Sequence, residues 1–123
     1  MRFMCVCQGG NVRSVAMAIA LKNAGQEALA AGWETAAGET LKMLFHWADA
    51  IIVMQAEFIK RLEDKAGTFD LRKILVVDVG PDVFGTPVHG VLLPYVTGIV
   101  EDWKRNGFAL VSALGHRLPL VKP

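Results

Sequence analysis

Apolar residues along the chain fall into short unbroken runs and into longer stretches where they recur at helical spacing. Residues 2–7 form the first run, bounded by glycines at 9 and 10, and read as a strand buried on both faces of a parallel sheet. From Arg13 onward Val15, Ile19 and Leu21 keep a helical period among alanines until Gly25 supplies a stop. Residues 26–31 carry no decisive pattern, whereas 33–36 read as a short second strand closing at Gly38. Thr40 is placed to cap a helix carrying Leu41, Leu44 and Phe45 and ending near Trp47. The run 50–54 is a further strand of the parallel type. Residues 57–64 put Phe58, Ile59 and Leu62 on one helical face, and Gly67 ends that helix. The last clear strand is 73–77, followed by a loop at 78–85 marked by Gly80, Pro81 and Gly85. Residues 91–105 predict a helix with Pro94 in its first turn and Asn106-Gly107 as its stop. The apolar tail 108–123 fits a docked helix or a partner contact and is not assigned.

Strands alternating with helices predict an α/β fold, a three-layer sandwich around a parallel, roughly four-stranded sheet. Ligands of such sheets bind at the carboxyl ends of the strands. The loop after the first strand and the loop at 78–85 both follow strands, so both are expected on one edge.

Composition narrows the classes. At 123 residues and 53% hydrophobic the chain supports one core, and 1–123 is read as a single domain. A formal charge of +1 gives no global field for nucleic acid or an acidic membrane surface. No apolar run approaches the roughly 18 residues of a membrane span. Cys5 and Cys7, the two cysteines, lie two apart in one strand, poorly separated for a bridge. Reduced thiols point to the cytoplasm. His46, His89 and His116 share no metal-ligand spacing, so neither metal nor cofactor is called for.

The candidate chemistry sits in Cys7-Gln8-Gly9-Gly10-Asn11-Val12-Arg13-Ser14, between the first strand and the first helix. Two glycines let successive N–H groups turn inward as a concave nest for a tetrahedral oxyanion, and the helix start adds the positive end of its dipole. Arg13 offers a planar fork for two oxygens, and Cys7 beneath these donors is a candidate thiolate nucleophile. Ser14 is placed to donate a hydrogen bond to that thiolate. In-line attack on a phosphate monoester would give a phosphocysteine, later hydrolysed by water. An acid must protonate the leaving oxygen, and Asp82 and Asp78 are the candidates, Asp82 being better placed to reach over the site. Trp33, Trp47 and Phe84 can wall an aryl pocket or simply pack in the core. Cys5 reads as a core residue.

Cys-x5-Arg-Ser after an apolar strand, running into Val15-Ala16-Met17-Ala18, resembles the signature of low-molecular-weight protein tyrosine phosphatases. Ala36-Ala37-Gly38-Glu39-Thr40 is similar to that family's segment after the second strand. Residues 47–54 are similar to the third-strand region of its shorter bacterial branch. The resemblance covers nearly the first 85 residues and implies a phosphotyrosine protein phosphatase I-like fold. It further implies Cys7 as nucleophile, Arg13 as phosphate grip, Ser14 as thiolate partner and an aspartate of 78–85 as general acid. A phosphorylated protein or small phosphomonoester would be the substrate and inorganic phosphate the product. The sequence departs from the pattern at Gly10, where asparagine is usual, with Asn11 one place late; at Val12, often a second cysteine; and at Pro81, which precedes Asp82 instead of following it. Three other readings accompany the phosphatase: arsenate reduction on the same fold, which needs more cysteines; a phosphoryl carrier of the sugar-transport type, which would not require Arg13; and a phosphate- or phosphopeptide-binding module without an acid.

Overall fold

A computed structural model of the chain describes residues 1–108. Strand β1, Arg2–Cys7, leads into helix α1, Arg13–Asn23. Strand β2 follows at Glu27–Gly32, then helix α2 at Gly38–Trp47, strand β3 at Ala50–Val53 and helix α3 at Phe58–Ala66. A single 3₁₀ turn, Leu71–Lys73, precedes strand β4, Ile74–Val76, and helix α4 runs over Leu92–Arg105. The strands form one parallel sheet in the order β2-β1-β3-β4. The predicted α/β fold with four parallel strands is therefore present.

Strand order fixes the layers. The chain steps from β1 to β2 in one direction and from β2 past β1 to β3 in the other. Right-handed crossovers then put α1 on one face and α2 and α3 on the opposite face. The packing agrees: α1 lies against β1, β2 and α4, while α2 lies against α3. The direction reverses at β1, whose carboxyl end is the switch point where doubly wound sheets bind ligands.

The central strands are apolar because both their faces are covered. Phe3, Met4, Cys5 and Val6 of β1 and Ile51, Ile52 and Val53 of β3 have no exposed surface. Each leucine or isoleucine so buried contributes roughly 1.5–3 kcal/mol. Ala16, Met17, Ala20 and Leu21 of α1 close one face, backed by Val96, Val100 and Trp103 of α4. Leu41, Phe45, Phe58 and Leu62 close the other.

Two expectations change. The second strand is Glu27–Gly32, not 33–36, which is a turn held by Ala36 N–H donating to Gly32 O at 2.9 Å. As an edge strand with alternating exposure, β2 lacks the apolar run of a buried one, and its register with β1, from Arg2 opposite Glu27 to Cys7 opposite Gly32, defines it. Helix α2 starts at Gly38 behind Ala37, with no side-chain cap, so Thr40 lies inside its first turn. Of the tail 108–123, Phe108 is buried with its ring 6.0 Å from that of Phe3, and 109–123 lie outside the described residues. No helix among the described residues is long and apolar enough to cross a membrane.

Candidate active site

Cys7 ends β1 and is 3% exposed. Its Sγ accepts a hydrogen bond from Gly10 N–H at 3.2 Å and lies 3.1 Å from Ser14 Oγ, on a residue with no exposed surface. Gly10 has φ +74°, and a Cβ there would sit 2.5 Å from Gly32 N, so both conformation and space demand glycine. The loop's carbonyls are held from one side. Cys7 O accepts from Trp33 N–H at 3.0 Å, Gln8 O from Glu34 N–H at 3.1 Å and Gly9 O from Thr35 Oγ1 at 3.0 Å. Gln8 Nε2 also donates to Glu34 Oε2.

With three successive carbonyls turned to residues 33–35, the N–H groups of Gly9, Asn11 and Val12 have no acceptor among the described residues. Helix α1 adds its own. Val12 stands at its N-cap without a side-chain cap, and the first turn holds no acidic residue, although a Ser or Asp cap would stabilise such a helix by about 1 kcal/mol. The segment that carries the thiol thus keeps N–H donors without acceptors among the described residues, as an oxyanion cradle requires. Asn11 is exposed and makes no hydrogen bond among the described residues, so the loop is braced by the 33–35 turn without it.

Arg13 is 1% exposed. One of its terminal nitrogens, NH1, donates to Gln55 Oε1 at 2.5 Å and to Gly80 O at 2.8 Å. Its guanidinium carbon stands 5.3 Å over the ring of Phe58. Nε is buried without a partner, and no carboxylate pairs with this cation among the described residues.

The loop after β4 joins the site through Gly80, whose carbonyl meets Arg13. The two aspartates differ. Asp78 Oδ1 accepts from Gly80 N–H at 2.8 Å, so this carboxylate shapes the loop. Asp82 is exposed and has no hydrogen bond or ion pair among the described residues. Tyr95 of α4 stands close by; burial, and then the Asp78 charge, push its phenol above the ordinary range, and its hydroxyl has no partner among the described residues.

The aromatic candidates separate as well. Trp33 follows Gly32 at the site, its ring 5.9 Å from Phe58 and 5.1 Å from the Arg61 guanidinium, beside a cleft of about 350 Å³ lined by Glu34, Arg61, Asp64 and Lys65. Phe84 rides the 78–85 loop and meets His89 edge-on, whereas Trp47 ends α2, at the end of the sheet away from the Cys7 loop. Cys5 has no exposed surface, and burial, then the neighbouring Cys7, push its thiol far above the ordinary range. Among the described residues no group of three or more His, Cys, Asp or Glu is arranged to hold a metal ion.

Sequence reading missed Gln55, Gly32 and Gly80. Gln55 and Gly80 carry no motif; Gly32, between Ala31 and Trp33, had a signal as a glycine closing a small-residue run. A Cβ on Gly32 would meet Gly9 C and Thr35 Oγ1 at 2.5 Å and Gln8 O at 2.6 Å.

No protein-family model matches the chain and no curated protein matches it in sequence. Solved structures do. A low molecular weight protein tyrosine phosphatase from Bacillus subtilis superposes with a TM-score of 0.62 at 15% identity, covering 86% of this chain and 99% of that one. Vibrio vulnificus Wzb in complex with benzylphosphonate matches with a TM-score of 0.62 at 16% identity, over 85% and 97% of the chains. The YwlE arginine phosphatase from Geobacillus stearothermophilus matches with a TM-score of 0.57 at 20% identity, over 94% and 99%. The fold of this chain is that of the low molecular weight protein tyrosine phosphatases.

Proposed function

We propose that the chain acts as one domain, a cysteine-dependent phosphatase that hydrolyses phosphotyrosine or small aryl phosphate monoesters. The observation that carries this reading is Arg13: a buried cation beside the Cys7 loop that has, among the described residues, neutral acceptors only and no partner for Nε. A charge so placed is costly until an anion joins it, and the free N–H groups of the loop define where that anion sits. Cys7 Sγ attacks phosphorus in line, and the bond from phosphorus to the ester oxygen breaks as Asp82 protonates that oxygen. Asp82, now a carboxylate, takes a proton from water, which attacks the phosphocysteine and releases inorganic phosphate and the thiolate. Ser14 Oγ–H stabilises that sulfur as it leaves, from its 3.1 Å position. The benzylphosphonate held by the Vibrio protein favours aryl ligands, and the arginine phosphatase likeness adds phosphoarginine to the substrates worth assaying. A reduced Cys7 suits a cytoplasmic location.

The test is turnover of p-nitrophenyl phosphate and phosphotyrosine, inhibited by vanadate and abolished in Cys7→Ser. Folded wild-type protein without turnover on either substrate would defeat the proposal. A second reading, a phosphate-binding module of low activity, draws support from the exposed, unheld Asp82 carboxylate. Turnover insensitive to replacement of both aspartates would favour it.

A further inference from the structure

Gln55 leaves β3 next to the site, and both ends of its amide are used. Oε1 accepts from Arg13 NH1 at 2.5 Å, and Nε2 donates to Glu57 Oε1 at 2.9 Å. The two partners fix the amide's direction without ambiguity, because a guanidinium can only donate and a carboxylate can only accept. Glu57 therefore keeps the Gln55 oxygen facing Arg13. The arrangement holds the guanidinium by one edge, on NH1, and leaves Nε unpaired. It also keeps the Glu57 carboxylate one side chain away from Arg13. A glutamate at 55 would pair with Arg13 directly and stand in for the phosphate.

We propose that Gln55, oriented by Glu57, is the positioning residue that presents Arg13 to the phosphoryl group and keeps its charge uncompensated until that group binds. The proposal deepens the phosphatase reading and rests on it. Through the same NH1, Arg13 also holds Gly80 O, so Gln55 and the 78–85 loop share one nitrogen of the phosphate grip.

The experiment titrates inorganic phosphate into the full chain by calorimetry, which needs no turnover, and follows the Arg13 Nε–H resonance by NMR. Gln55→Glu weakens phosphate binding by about tenfold or more, because its carboxylate competes for the cation. Gln55→Ala weakens it by about 3- to 10-fold, the loss of one hydrogen bond, and broadens the Nε–H signal even without phosphate. Glu57→Gln and Glu57→Ala remove the same charge, but only the first keeps an acceptor for Nε2, so Glu57→Gln binds at least about threefold tighter than Glu57→Ala. This last pair decides the matter if the Gln55 variants fail to fold. Wild-type binding with both Gln55 variants within twofold of it, or equal binding by the two Glu57 variants, overturns the role of Gln55 and leaves the phosphatase reading standing. Absence of phosphate binding by folded wild-type protein overturns both.

Discussion

At Arg13 a guanidinium is taken out of water and given two neutral acceptors and the face of a phenyl ring. Isolated buried charge of this kind is unfavourable by several kcal/mol, and structural arginines escape that cost by pairing with a carboxylate. Arg13 has no such partner among the described residues, which separates it from Arg72 and Arg105, whose carboxylate partners sit within three residues on exposed surface. The aspartates of the 78–85 loop divide on the same reasoning. Asp78 is occupied by Gly80 N–H, so Asp78→Ala, which removes that acceptor, should lower stability by about 1 kcal/mol in a urea melt and change turnover little. Asp82 has no partner among the described residues, and Asp82→Asn should lower kcat by about 10²- to 10⁴-fold on phosphotyrosine, whose leaving phenol oxygen needs a proton, and by much less on p-nitrophenyl phosphate. The reverse ranking would move the acid to Asp78.

Between elements, the decisive approach is that of β2 to the Cys7 loop. Gly32→Ala places a methyl 2.5 Å from Gly9 C, against backbone that cannot give way, and should destabilise by about 1–3 kcal/mol or more in thermal melts. Gly98 provides the contrast: inside α4, with nothing within 4 Å of an added Cβ, Gly98→Ala should stabilise by up to about 1 kcal/mol. Equal effects at the two positions would contradict the packing described. The same elements explain what could be read in advance. β1, β3 and β4 are legible because strands buried on both faces write continuous apolar runs, and α1, α3 and α4 because their periodicity and glycine stops are intact. β2 is Glu27–Gly32, alanine-rich and on the edge, so nothing local marks it; pairing with β1 does. Cys7, Arg13 and Ser14 were legible as candidates since one stretch of eight residues, from the end of β1 to the first turn of α1, holds all three. Gln55, Gly32 and Gly80 arrive from three other strand ends, and only the sheet brings them together.

Across the whole molecule, the two thiols share a strand and part in environment. Cys5 is sealed in the core, and burial raises its folded-state thiol well above its ordinary value of about 9. A group raised on folding contributes stability that is fully present below the unfolded value and is lost as pH climbs above it. Unfolding free energy should therefore fall from about pH 9 upward by up to about 1.4 kcal/mol per pH unit on account of Cys5. Cys5→Ala should remove that component, as urea melts between pH 8 and 10.5 of the two proteins would reveal; parallel curves would count against it. The bracing of the Cys7 loop reaches further than stability. Its carbonyls are held by residues 33–35, more than twenty positions downstream, in the turn that follows β2 where that strand pairs with β1. The octapeptide 7–14 thus has no shape of its own to carry. Anyone grafting it onto another scaffold would have to bring Gly32 and the turn after it as well, in parallel register, since the two segments make one portable part.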